Sequence, residues 1–156
     1  YVILPDSIPR NGKRLSEFKD SVRIDQAFIG SCANGLIEDL RVAAGIVRGH
    51  KVAPGVRFIV TPGSQAVYLQ AVREGLVETL VEAGAVVTNS TCGACLGYHM
   101  GVLGPGEICI TASPRNFKGR MGSNDAQVYL GSPATVAASA LAGVISDPRT
   151  VAGSSH

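Results

Sequence analysis

The chain has 156 residues, 46% of them hydrophobic, which is enough to bury one sizeable core and gives no reason to expect a second folded domain. The 14 basic and 12 acidic residues leave a net charge of +2. They form no long run, so the sequence offers no general electrostatic basis for binding nucleic acid or a membrane surface. No apolar stretch approaches the roughly 20 residues of a membrane span. We therefore expect a cytoplasmic protein, whose four cysteines are ligands or catalysts rather than a disulfide framework.

The first 22 residues carry two prolines, an Asn-Gly pair and alternating charges, a composition that favours an extended lead-in arm. The abrupt start at Tyr1, without an initiator Met, indicates a piece of a longer polypeptide. Apolar runs then predict strands at 24–29, 56–60, 85–87, 108–111 and 128–130. Apolar residues at helical spacing predict helices at 36–47, 64–73, 76–83 and 132–145. We expect one domain over 23–148, followed by a frayed tail at 149–156.

Strands that alternate with helices predict an α/β domain of three layers, α/β/α, around a mostly parallel sheet. In such sheets ligands bind beyond the carboxyl ends of the strands. Cys32 follows the first strand, Cys92 and Cys95 follow the third, and the basic residues of 113–122 follow the fourth. The fold is therefore expected to bring these three segments to one edge of the sheet.

The pair Cys92 and Cys95 has Cys-x-x-Cys spacing, which suits a metal, an iron–sulfur cluster or a redox dithiol. A zinc site that also uses His99 has an acceptable ligand spacing. The spacing by itself leaves these alternatives open. Cys109 lies inside an apolar strand and is expected to be a buried, inert thiol.

Arg115, Lys118 and Arg120 belong to a polar loop with glycines. Two arginines in such a loop form either a solvated surface or a clamp for carboxylates or phosphates, since a guanidinium donates two parallel hydrogen bonds.

Three motifs together resemble the aconitase superfamily. Residues 28–35, with the sequence Phe-Ile-Gly-Ser-Cys-Ala-Asn-Gly, resemble its first cluster-ligand segment. Cys-Gly-Ala-Cys at 92–95 is similar to its second, and Arg-Asn-Phe-Lys-Gly-Arg at 115–120 to its substrate-binding loop. The resemblance covers about 24–147, and 51–56 and 118–122 look most like members that act in amino-acid biosynthesis. One position departs from the pattern, because Pro114 stands where the family commonly has Asn.

The resemblance implies a 4Fe–4S cluster held by Cys32, Cys92 and Cys95, with one iron left open to substrate. It implies that Arg115 and Arg120 bind substrate carboxylates, and that Ser31 and Asn34 donate hydrogen bonds to cluster or substrate. The implied activity is that of a hydro-lyase, which isomerises a 2-hydroxy acid by dehydration and rehydration. The implied partners are preceding domains of the same polypeptide and a small subunit. Binding to nucleic acid or to a membrane is not expected.

In that family other catalytic groups lie outside the segment that this chain resembles. The chain alone is therefore expected to be inactive. A hypothesis of another class is a non-catalytic module that binds zinc or a cluster and works as a docking partner.

Overall fold

A mixed seven-stranded sheet forms the centre of the computed structural model, which describes residues 1–5, 12–18 and 22–152. The strands are β1 (Val2–Ile3), β2 (Gly12–Lys13), β3 (Gln26–Gly30), β4 (Arg57–Thr61), β5 (Val86–Val87), β6 (Ile108–Thr111) and β7 (Gln127–Gly131). Their spatial order is β2-β1-β7-β6-β3-β4-β5. The five strands from β3 to β7 are mutually parallel, whereas β1 pairs antiparallel with β2 and β7. The predicted α/β class with a mostly parallel sheet is confirmed.

Helices follow the strands as the apolar periodicity predicts. They are α1 (Ser31–Asn34), α2 (Ile37–Val47), α3 (Gln65–Arg73), α4 (Leu76–Ala83), α5 (Pro133–Ala142) and α6 (Pro148–Ala152). The side chain of Ser64 accepts a hydrogen bond from the Val67 amide and begins α3, and Ser132 does the same for α5 with a proline in the first turn. Both helices begin within one residue of the predicted start.

One face of the sheet packs against the long helices. The alternate side chains Ala27, Ile29, Phe58, Val60 and Ile110 point to this face, because successive residues of a strand face opposite sides. They meet the apolar stripes of α2, α4 and α5, which include Leu40, Ala44, Leu76, Leu80, Val136 and Ala140. This face holds the larger part of the core.

The opposite face of the sheet is covered by irregular chain. Phe28, Ile59 and Cys109 point to this face and pack in a second apolar cluster with Ala94, Cys95, Leu103 and Met121. Residues 92–103, which we call the covering segment, supply most of this cover. Within it Gly93–Leu96 forms a short 3-10 helix. In the described residues the third layer is therefore made of one 3-10 turn and loops.

The start and the end of the chain are more ordered than the composition predicts. Val2 is fully buried and pairs with Gly131, so the expected lead-in arm adds β1 to the sheet. Leu15–Glu17 forms a 3-10 helix, and Phe18 contacts the ring of Tyr129. In the expected tail, Pro148–Ala152 forms α6. Residues 6–11 and 19–21 of the lead-in arm and the last four residues lie outside the described part of the chain.

No helix among the described residues is long and apolar enough to cross a membrane.

Candidate functional site

Cys32 lies directly beyond the carboxyl end of the central strand β3. It is the second residue of the single-turn helix α1 and its side chain is exposed. Ser31, which joins β3 to α1, has a φ of 80°, a backbone conformation that is uncommon for residues other than glycine. Such strain is found most often at functional positions. The chain thus turns sharply where the first candidate ligand is placed.

Neighbouring loops at this carboxyl edge are joined by direct hydrogen bonds. The amide of Gly63, after β4, donates to the carbonyl of Gly35, after β3, over 2.8 Å. The hydroxyls of Thr61 and Thr88 lie 2.6 Å apart and are buried, which joins the ends of β4 and β5. The edge from β3 to β5 is therefore one connected surface.

The other two candidate ligands lie on the covering segment. Cys92 immediately precedes the 3-10 helix, and Cys95 lies within it. Cys92 is exposed, and Cys95 is buried with 5% of its surface accessible. We call residues 92–97 the cysteine turn. Gly97 ends it with a φ of 70°. A Cβ atom at Gly97 would lie 2.8 Å from the Gly122 nitrogen, so the turn touches residues 113–122, the arginine loop.

Arg120 makes the direct contact between the arginine loop and the cysteine turn. Its Nε donates a 2.9 Å hydrogen bond to the carbonyl oxygen of Cys95, and its Nη2 lies 3.7 Å from the Cys95 sulfur. The guanidinium also lies over the ring of Phe117, 5.3 Å from the centroid. The structure thus brings a predicted cluster ligand and a predicted substrate-binding arginine together.

Three other residues of the arginine loop differ in burial and in their hydrogen bonds. Asn116 is buried and donates through Nδ2 to the carbonyls of Leu4 and Val128, at 2.8 and 2.9 Å, which fixes the loop to β7 and to the start of the chain. Arg115 and Lys118 are exposed, and neither has a hydrogen-bond or ion-pair partner among the described residues. The loop is therefore anchored through Asn116, while the side chains of Arg115 and Lys118 face outward.

Two buried hydroxyls near the cysteines have no hydrogen-bond partner in the described part of the chain. They belong to Ser31, next to Cys32, and to Ser90, two residues before Cys92. A buried polar atom without a partner is costly, so each of these hydroxyls needs a water molecule or a ligand as its partner. Asn34, predicted with Ser31, is half-buried in α1. Ser90 is not among the residues that the sequence predicts for the site; its only sequence signal is its position after a strand.

Two other predictions concern single residues. The ring nitrogen Nε2 of His99 lies 3.3 Å from the Thr91 hydroxyl. Cys109 is fully buried in β6, as predicted, and burial raises the pKa of its thiol far above the ordinary range. Such a thiol is neither a nucleophile nor a ready ligand.

The three candidate cluster ligands are not gathered into one group. In residues 1–5, 12–18 and 22–152, no three His, Cys, Asp or Glu side chains lie together so that they can hold a metal ion. Cys32 and Cys92 face solvent, and Cys95 faces Arg120. The assignment of these cysteines as ligands remains a prediction.

A parallel α/β sheet with a free cysteine directly beyond the carboxyl end of a strand is typical of proteins that bind ligands at that edge. A model of the aconitase family (aconitate hydratase) matches residues 9–143. The chain belongs to the aconitase family.

Curated relatives are similar over nearly the whole chain. It is 62% identical to the 3-isopropylmalate dehydratase large subunit of Mycolicibacterium smegmatis over 151 residues, which is 97% of this chain and 36% of that protein. It is 55% identical to the large subunit of the same name from Wolinella succinogenes, over 95% of this chain and 35% of that protein. The chain thus spans about a third of the length of these relatives.

Proposed function

We propose that this chain is the cluster-binding part of the large subunit of a 3-isopropylmalate dehydratase, a hydro-lyase of leucine biosynthesis. The single observation that supports this most is the contact of Arg120 with Cys95, which joins the side chain proposed to bind a substrate carboxylate to a proposed cysteine ligand. The relatives at 62% and 55% identity carry that name. Homoaconitase, a related activity on another 2-hydroxy acid, is less favoured because neither of these relatives bears its name.

The cofactor proposed is a 4Fe–4S cluster held by Cys32, Cys92 and Cys95. The residues fit such a group in chemistry, because all three thiols are free and thiolates are the usual ligands of iron–sulfur clusters. The unpartnered hydroxyls of Ser31 and Ser90 flank two of them. When bound, the cluster supplies an iron with an open position that acts as a Lewis acid. To share one cluster, Cys32, Cys92 and Cys95 would have to lie closer together than they do in this structure.

The chain's own residues bind and orient the substrate. The guanidinium of Arg120 uses Nε and one Nη2 hydrogen on Cys95, so its Nη1 side is free for a carboxylate. Arg115 is exposed on the same loop and supplies a second guanidinium. Two such contacts fix the substrate relative to the edge of the sheet and favour a reactive geometry. The hydroxyls of Ser31 and Ser90 and the amide of Asn34 are further donors.

The full activity is proposed for an assembly larger than this chain. The chain spans 36% of the relative from Mycolicibacterium smegmatis, whose name describes it as a large subunit. We propose that the remaining catalytic groups come from the rest of the large subunit and from a small subunit. The chain by itself is then expected to bind the cluster and to turn over no substrate.

The experiment that tests the proposal is anaerobic reconstitution of the chain with iron and sulfide. Visible absorption and a count of iron and sulfide per chain report on the cluster. We expect Cys32→Ser, Cys92→Ser and Cys95→Ser each to lose the absorption, because a neutral hydroxyl is a poor iron ligand beside thiolates. The matched control is Cys109→Ala, which removes the buried thiol of β6 and should keep the absorption.

Zinc binding and the redox state of Cys92 and Cys95, measured on the same chain, separate the alternatives from one another. Binding of zinc in preference to iron, with loss of affinity in His99→Ala, would favour the structural zinc module. A Cys92–Cys95 disulfide that cycles with a thiol reductant, with no uptake of iron, would favour a dithiol. Either result would overturn the cluster proposal.

A further inference from the structure

The contact between Arg120 and Cys95 uses one side of the guanidinium and two different acceptors. Nε donates to the main-chain carbonyl over 2.9 Å, and Nη2 approaches the sulfur at 3.7 Å. Arg120 is separated from Cys95 by 25 residues along the chain, so this is a tertiary contact. The guanidinium carbon also lies over the ring of Phe117, 5.3 Å from its centroid, within the range of a cation–π contact. The guanidinium therefore has contacts at both its face and its edge.

The cysteine turn has little intrinsic stability of its own. Its 3-10 helix has four residues, and such short elements have poorer hydrogen-bond geometry than α-helices. Its Cys92 start has no side-chain cap. A turn of this kind keeps one conformation only if other parts of the protein hold it. Arg120 is the described residue whose side chain donates hydrogen bonds to it.

We propose that Arg120 is a positioning residue for Cys95, which holds the cysteine turn and the thiol in one orientation before any cofactor binds. The consequence for cluster binding rests on the proposed function. The orientation of Cys95 by Arg120 does not. The free Nη1 side of the same guanidinium faces no partner among the described residues. Arg120 can therefore hold the ligand cysteine and a substrate carboxylate at once, which would make the two bindings interdependent.

Thiol alkylation of the reduced chain measures this hold directly. Iodoacetamide is added without denaturant, and each cysteine is followed by peptide mass spectrometry. Cys95 is buried and reacts only when the turn opens, so its rate reports the population of the open turn. Loss of a charge-assisted contact in Arg120→Gln should speed alkylation of Cys95 by roughly 10- to 100-fold. Arg120→Lys should restore the slow rate only in part, because an ammonium lacks the planar pair of donors.

The chain provides its own controls for this measurement. Cys109 is fully buried in β6 and reacts only on global unfolding, so its rate should stay unchanged. Cys32 is exposed and should react rapidly in every variant. Lys118→Gln removes a cation from the same loop that has no partner among the described residues, and it should leave the Cys95 rate unchanged.

Two results would overturn the positioning role. One is an unchanged Cys95 rate in Arg120→Gln, and the other is an equal acceleration at Cys109, which would mean general loosening of the fold. A second measurement follows the visible absorption of the reconstituted chain after addition of an iron chelator, and we expect faster loss in Arg120→Gln. If the wild-type chain takes up no cluster while Cys95 still reacts faster in the variant, the proposed cofactor is wrong and the positioning role stands.

Discussion

The side-chain amide of Gln26 donates a 2.8 Å hydrogen bond to the carbonyl oxygen of Gly101, which ties the covering segment to the amino-terminal end of β3. Gln26 is fully buried, and its Oε1 accepts a 3.0 Å hydrogen bond from Arg57 Nε. Arg57 also pairs with Glu107 at 2.9 Å. The segment that carries Cys92 and Cys95 at its start is thus anchored near its other end by a polar network.

Replacement of Gln26 by methionine should destabilise the chain. The exchange nearly keeps the volume, but it removes both hydrogen bonds and leaves the Gly101 carbonyl and Arg57 Nε without these partners. Such a loss costs about 1–3 kcal/mol of the free energy of unfolding. Urea unfolding followed by circular dichroism measures it. The control is Gln127→Met at the exposed start of β7, which should change stability by less than about 0.5 kcal/mol; equal effects would refute the role of the network.

The pair of Arg57 and Glu107 should make stability depend on pH in the acidic range. The hydrogen bond from Arg57, and then that from the Gly104 amide, hold the pKa of Glu107 below its ordinary value of 4.5. The folded chain therefore releases this proton at lower pH than the unfolded chain does. The free energy of unfolding that the lowered pKa of Glu107 adds is fully present above pH 4.5, the ordinary pKa of the group. It is lost as the pH falls through the pKa of Glu107 in the folded chain, which is lower.

The corresponding measurement compares wild type with Glu107→Gln in urea at pH 7 and at stepwise lower pH. The difference should be about 1 kcal/mol at pH 7, since both side chains are partly exposed, and should shrink in acid. Glu82→Gln on the exposed face of α4 provides the matched control. A difference that persists unchanged in acid would mean that the charge of Glu107 is not what matters.

Gly97→Ala should disturb the site through sterics alone. A Cβ atom there would lie 2.8 Å from backbone atoms of Met121 and Gly122, and the φ of 70° is unfavourable for alanine. Backbone cannot yield as a flexible side chain does, so we expect a loss of about 2 kcal/mol or more in the free energy of unfolding.

Gly45→Ala is the opposite case within the same chain. Gly45 lies inside α2 with nothing within 4 Å of the added Cβ. Alanine there should stabilise by about 0.5–1 kcal/mol, because glycine weakens a helix interior. Thermal unfolding of both variants tests the pair of expectations, and a tolerated Gly97→Ala would show that the close approach of the two loops is not required.

Local patterns were enough to predict most of the sheet and to show which strands the candidate site residues follow. The apolar alternation of β3, β4 and β6 and the caps at Ser64 and Ser132 depend on residues close in sequence. Cys32 and the arginine loop each follow a strand of the parallel sheet. This order alone predicts that both start at the carboxyl edge, and no tertiary contact is needed for the prediction.

Features that depend on distant residues were not predictable in this way. Val2–Ile3 becomes a strand because it pairs with β7, where Val2 is opposite Gly131, 129 positions later, and its own two residues carry no periodic signal. The cover of the second face depends on how Gln26 and Met121 meet the covering segment. The partners of Arg120 and the unsatisfied hydroxyl of Ser90 are likewise tertiary properties, which spacing in sequence does not reveal.

Arg115 should contribute to catalysis in the complete enzyme without affecting the cluster. Unlike Arg120, it is exposed on the arginine loop and makes no hydrogen bond to the cysteine turn among the described residues, so its proposed role is limited to a substrate carboxylate. Arg115→Lys keeps the charge but loses the planar two-point contact, a loss of about 2–3 kcal/mol, or roughly 30- to 150-fold in kcat/KM. Dehydration of 3-isopropylmalate by the assembled large and small subunits measures this, with cluster absorption recorded on the same samples.

Arg73→Lys in the last turn of α3 makes the same exchange at an exposed position on another element and should leave both quantities unchanged. If Arg115→Lys retains near-normal kcat/KM, its guanidinium belongs to a solvated surface, and Arg120 is left as the only arginine of the loop with a carboxylate to bind.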